Sequence, residues 1–145
     1  MYRIPVQITD HLTRNAMFVR WPRRRILLAK DATAMLSEKD LSTLIAHESA
    51  HAELWHVEVN MAYTAVAVGI AAYFAVKDGI STAALFVVLA SILLRVMRLA
   101  QEIEADSFTD RHSMLYVLKT LSTSDTIALR IRMYFLSREP TRKKS

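Results

Sequence analysis

The chain has no cysteine. Disulfides are therefore excluded, and so are thiolate metal ligands, which leaves histidine and carboxylate side chains to bind any ion. Only two glycines and three prolines occur in 145 residues, so long flexible linkers are not expected. No internal repeat is evident. No apolar run follows Met1-Tyr2-Arg3-Ile4-Pro5, so no signal peptide is expected. What remains is a basic chain, with net charge +5 and pI near 9.7, of a length suited to one domain with a modest core. Its basic residues are not interleaved with aromatics in any recognisable module, so no nucleic-acid partner is expected.

The stretch Leu44-Ile45-Ala46-His47-Glu48-Ser49-Ala50-His51-Ala52 contains His-Glu-x-x-His. On a helix, His47 and His51 share one face, one turn apart, where two imidazoles can hold a single Zn²⁺. Such an ion lowers the pKa of a bound water to roughly 7, and Glu48 stands beside it to collect the proton as a carbonyl is attacked. The pattern arises by chance in about one chain of this length in a few hundred. The plainer alternative is a helix with two exposed histidines and a salt-bridging Glu48. The small, uncharged neighbours Ala46, Ser49, Ala50 and Ala52 favour tight packing around a metal instead. Ser37 and Asp40 form a capping-box signal that starts this helix, and Leu41, Leu44 and Ile45 give it an apolar face.

A catalytic zinc site takes three protein ligands and keeps one open position. The long metzincin pattern is excluded, because Leu54 and Val57 stand where glycine and histidine are required. His56, five residues after His51, falls off the ligand face and is expected at an interface or at the surface. The better third ligand is Glu102, in Gln101-Glu102-Ile103-Glu104-Ala105-Asp106. Glu102 and Asp106 are four apart and share a helix face. Glu102 closes a His₂Glu set, and Asp106 can hold a ligand histidine by its second ring nitrogen. Alone, this stretch would read as a solvated acidic face; the upstream motif changes that reading.

Two apolar runs separate the motifs. Met61–Val76 and Gly79–Leu94 carry no charged residue, and Lys77-Asp78-Gly79 between them looks like a tight turn. Each run is somewhat shorter than the roughly 20 residues that cross a bilayer. Flanking Val57, Val59, Val96 and Met97 extend them, with Arg95 able to snorkel. A helix apolar all round must be covered all round, and a chain this small has little material to cover two. The expectation is a transmembrane hairpin over residues 57–97, inserted between the histidines and the third ligand. Of the 19 Lys and Arg residues, only Lys77 lies in the connecting turn. The positive-inside rule then places both ends and the metal site on the cytoplasmic side of a cell membrane crossed twice.

Tyr2–Ile8 reads as an edge strand or extended arm. Asn15–Trp21 and Arg25–Ala29 read as strands joined by a turn at Pro22-Arg23-Arg24, giving a small antiparallel hairpin or sheet. The cluster Arg23–Arg25 is either a solvated turn or a group attracted to anionic lipid headgroups. Downstream, Ser113–Leu121 is expected as a short helix, and a second starts near Ser124 or Asp125 and ends about Leu136. Residues 138–145 form a basic tail. The fold class is thus α+β, mostly α: one minimal catalytic domain over 1–145, with an inserted apolar hairpin.

Three stretches together resemble the gluzincin membrane endopeptidases that include the HtpX heat-shock proteases and the CAAX prenyl proteases. They are Asn15-Ala16 through Leu36–Leu41 to His47-Glu48-Ser49-Ala50-His51; Glu102-Ile103-Glu104-Ala105-Asp106, matching a Glu-x-x-Ala-Asp signature; and Ser122-Thr123 with Arg130-Ile131. The resemblance implies His47, His51 and Glu102 as zinc ligands, Glu48 as general base and Asp106 as a supporting residue. It also implies hydrolysis of a peptide or protein substrate lying extended along an edge strand, at a lipid bilayer. Ser124-Asp125 replaces the family's His-Pro. The N-terminal membrane helices of HtpX-type members and the enclosed chamber of the prenyl proteases are missing, so prenylated substrates are not expected. His112, Tyr116 and Arg130 are candidates to stabilise an oxyanion. The alternative is a non-catalytic or zymogen-like zinc-binding membrane protein of the same fold.

Overall fold

Ile26, Leu27 and Leu28 put three consecutive apolar side chains on the most buried strand of a three-stranded sheet. The strands are β1 (Val6–Thr9), β2 (Ala16–Val19) and β3 (Arg25–Ala29), in the order β1-β3-β2. This computed structural model describes residues 4–10, 12, 15–122 and 125–138. The expected hairpin is present as β2 and β3, antiparallel with Phe18 opposite Ile26. The segment expected as an edge strand or extended arm is β1, at the sheet edge, and it pairs parallel to β3, with Val6 opposite Ile26. The more apolar β3 takes the centre, flanked on both sides, and leaves β1 and β2 as edges. Pro5 lies just outside β1 and its carbonyl accepts from the Ile26 N–H at 2.9 Å, a use that needs no proline donor.

A short helix not expected from sequence, α1 (Lys30–Met35), leads from the sheet to α2 (Glu38–Glu53). Ser37 caps α2 as expected: its Oγ accepts from the Asp40 N–H at 3.2 Å and donates to Asp40 Oδ2 at 2.6 Å. Leu44, Ala50 and Ala52 on α2 are buried, and α2 packs on β2 and on α5 (Arg111–Leu121). α6 (Ile127–Ser137) packs on α5 in turn. Thr126 caps α6 through the Leu129 N–H, so the helix starts slightly later than expected. Tyr2, Thr123, Ser124 and the basic tail beyond Arg138 lie outside the described residues.

The chain divides into two compact units, residues 1–54 with 102–145, and residues 55–101. α2 ends at Leu54, and Trp55 adopts a left-handed backbone (φ 58°, ψ 26°) before α3 (His56–Lys77) begins. Of the two places expected for His56, an interface or the surface, the surface is excluded: it is buried at 5 % exposure. The sequence count from His51 assumed one continuous helix, and the Trp55 break resets it. α3 and α4 (Ile80–Ser107) meet through a turn at Asp78 and Gly79, where φ is +91°. That conformation suits glycine. Within the second unit the helices are linked by Asn60 Nδ2 to Gln101 Oε1 (2.9 Å), Tyr63 OH to the Ala90 carbonyl (2.9 Å), and Phe74 against Phe86.

Both helices are longer than the uncharged runs within them, 22 and 28 residues. At 1.5 Å per residue, α3 spans about 33 Å, enough for a hydrocarbon core of about 30 Å. They are long and apolar enough to cross a membrane. Val66, Val68, Val76, Leu85, Val88 and Ile92 all point out of the chain rather than into a core.

Candidate metal centre

The site is assembled from α2, the last two turns of α4, α6 and the edge of β2. The cap at Ser37 fixes the start of α2, and three turns later His47 and His51 stand on one face. Their Nε2 atoms are 3.2 Å apart. Glu102 turns one oxygen to each: Oε2 lies 3.4 Å from His47 Nε2, and Oε1 lies 3.5 Å from His51 Nε2. Four ligands held about 2.1 Å from a tetrahedral zinc stand about 3.4 Å from one another. The observed separations have that size, so the donor set fits one such ion. Among the described residues this group numbers three.

Asp106, one turn beyond Glu102, is buried at 3 % exposure. Its Oδ1 lies 3.0 Å from His47 Nδ1. A carboxylate there keeps the ring proton on Nδ1 and the lone pair on Nε2, facing the other donors. Glu48, next to His47 in the chain, reaches the sheet. Its Oε2 accepts from the backbone N–H of Phe18 at 2.8 Å. Asn15 faces β3, because its carbonyl takes the Ala29 N–H at 3.0 Å. Phe18, three residues on, therefore presents its N–H on the outer edge of β2. One oxygen of Glu48 is anchored there, and among the described residues the second takes no hydrogen bond.

Sequence reasoning missed Arg132. Its Nε and Nη2 donate to Asp106 Oδ2 and Oδ1 at 2.8 and 2.7 Å, and its Nη1 lies 2.8 Å from Glu102 Oε2. Arg130, singled out instead, is exposed and paired with Asp125. The signal was in the helix phase. Arg132 lies four residues before Leu136 and three after Leu129, the inward positions of α6. Arg130 falls in line with Ile127 and Tyr134, which are 78 % and 51 % exposed. His112 and Tyr116 are both on exposed positions of α5.

The charges are strongly interdependent. Burial opposes a charged His47, but Asp106 and Glu102 outweigh it and push its pKa up to about 9. Burial would raise Glu102, yet His47 and Arg132 hold it down at about 2. Asp106 is likewise lowered, its burial outweighed by Arg132 and His47. Glu48 is raised, chiefly by burial.

A pH dependence follows for the metal-free protein. The folded pKa of His47 lies above its ordinary 6.5. Its stabilising contribution is therefore complete below pH 6.5 and is lost as pH rises through about 9. Melting temperature in excess chelator is expected to fall across that window. Zinc affinity is expected to rise over the same window, since the ion must displace the proton. A flat melting profile from pH 6 to 9 would contradict the assignment of His47 to this cluster.

Comparison with family profiles matches residues 5–125 to peptidase family M48. Comparison with curated proteins and with solved structures returned no match.

Proposed function

Because the chain belongs to peptidase family M48, a family of metallopeptidases, we propose that it is a zinc-dependent endopeptidase acting at a membrane. His47, His51 and Glu102 are the ligands, Glu48 is the general base, and Asp106 supports His47. The observation that carries this reading is the convergence of two imidazole nitrogens and one carboxylate at zinc-like spacing beside an anchored glutamate. Bound zinc would supply Lewis acidity to the scissile carbonyl and to water. Glu48 takes the proton from that water with its free oxygen and delivers it to the leaving amine. The outer edge of β2 offers backbone groups to an extended peptide, whose pairing there would set its register against Glu48.

The apolar surfaces of α3 and α4 support a membrane hairpin, and the scarcity of Lys and Arg between them supports a cytoplasmic site. Purified protein is expected to carry about one zinc per chain and to cleave unfolded casein, with cleavage lost in chelator and restored by zinc. Full zinc occupancy without turnover would favour the non-catalytic reading of the same fold. Carbonate washing should leave the chain in the membrane pellet, and release into the soluble fraction would remove the hairpin reading.

A further inference from the structure

The turn between β2 and β3 combines an exposed indole with exposed cations. Trp21 is 83 % exposed, the most exposed aromatic among the described residues. Pro22, Arg23 and Arg24 beside it are exposed as well. Arg25 reaches Gln7 Oε1 at 3.4 Å, but neither Arg23 nor Arg24 joins an ion pair among the described residues. From residue 11 to residue 30 the chain carries Arg14, Arg20, Arg23, Arg24, Arg25 and Lys30 and no Asp or Glu. Among the described residues, none of these side chains belongs to the metal centre.

A tryptophan left in water exposes a large apolar ring, whereas at a membrane interface the ring is covered and its N–H stays wet. Adjacent arginines add attraction to anionic headgroups within a Debye length. A single-stranded nucleic acid calls for several aromatics along a basic groove, and this turn has one at its tip. An acidic peptide would satisfy the arginines without covering the indole. We propose that the β2–β3 turn docks on anionic lipid, with Trp21 at headgroup depth and Arg23 and Arg24 on lipid phosphates. The proposal shares the membrane setting of the function proposed above, but it needs only a lipid surface, not a spanning hairpin.

The chain has two tryptophans, Trp21 and Trp55, so W55F isolates the emission of Trp21. If W55F does not fold, the difference between wild type and W21F gives the same signal. The full-length protein is placed in nanodiscs of phosphatidylcholine, with and without phosphatidylglycerol, and with brominated acyl chains as quencher. Trp21 emission should shift to the blue and be quenched in the phosphatidylglycerol discs, and both effects should fade in about 0.5 M salt. R23Q/R24Q changes only exposed side chains. It should weaken the anionic-lipid response by about 25-fold, roughly fivefold per cation. The proposal is overturned if Trp21 stays water-exposed in anionic discs, or if R23Q/R24Q responds as wild type does. It is equally overturned if an oligonucleotide or a polyglutamate peptide shifts Trp21 and lipid does not. Carbonate resistance should be the same in R23Q/R24Q and wild type. Release of the wild type by carbonate defeats the hairpin alone, and the tip is then tested with added vesicles.

Discussion

Glu48→Gln is expected to leave zinc content and fold intact while peptide hydrolysis falls by about 10²–10⁴-fold, the usual share of a general base. The amide is close in size to the carboxylate. Its oxygen can still accept from the Phe18 N–H, the bond Glu48 makes at 2.8 Å. The group lost is the second oxygen as a proton acceptor. Glu48 is no member of the convergent donor group of His47, His51 and Glu102, so zinc per chain should not change. Metal content by mass spectrometry and casein cleavage on the same preparation read the two effects separately. Retained activity would take the general-base role away from Glu48. Loss of zinc together with activity would mean that the substitution disturbs α2 itself.

The parts of this arrangement that were legible in the sequence are those fixed by local spacing. A four-residue interval on a capped helix is enough to put His47 above His51, and the same interval puts Glu102 above Asp106. Their meeting across 51 residues of chain was an inference from chemistry, since two imidazoles need a third donor and no thiol exists to supply it. What escaped was whatever depends on tertiary direction. Whether β1 runs parallel or antiparallel to its neighbour is decided by which strand takes the sheet centre, and alternation of side chains is silent on that. The helix break before His56 escaped because nothing in Leu54-Trp55-His56 announces a left-handed residue; a tryptophan is not the glycine one expects there. The Phe18 contribution is a backbone N–H, so no residue type encodes it.

Arg132→Met is expected to destabilise the metal-free protein by about 3–5 kcal/mol, the cost of stripping one partner from a buried ion pair. The side chain is 14 % exposed and that of Asp106 is 4 % exposed, so water cannot replace the guanidinium at the carboxylate. Its two-pronged contact with Asp106 and its third contact with Glu102 neutralise both acids from α6. Without it, only the histidines are left to balance Asp106 and Glu102. Zinc brings two positive charges to the same cluster. The destabilisation should therefore be smaller in the loaded protein, and the gain in melting temperature on adding zinc should be larger for the variant than for wild type. Arg132→Lys keeps the charge and loses the planar fork. It should recover part of the stability, which separates the charge from the geometry. Equal melting temperatures for wild type and Arg132→Met in chelator would show that α6 does not hold the two acids in place, and that Asp106 relies on His47 alone.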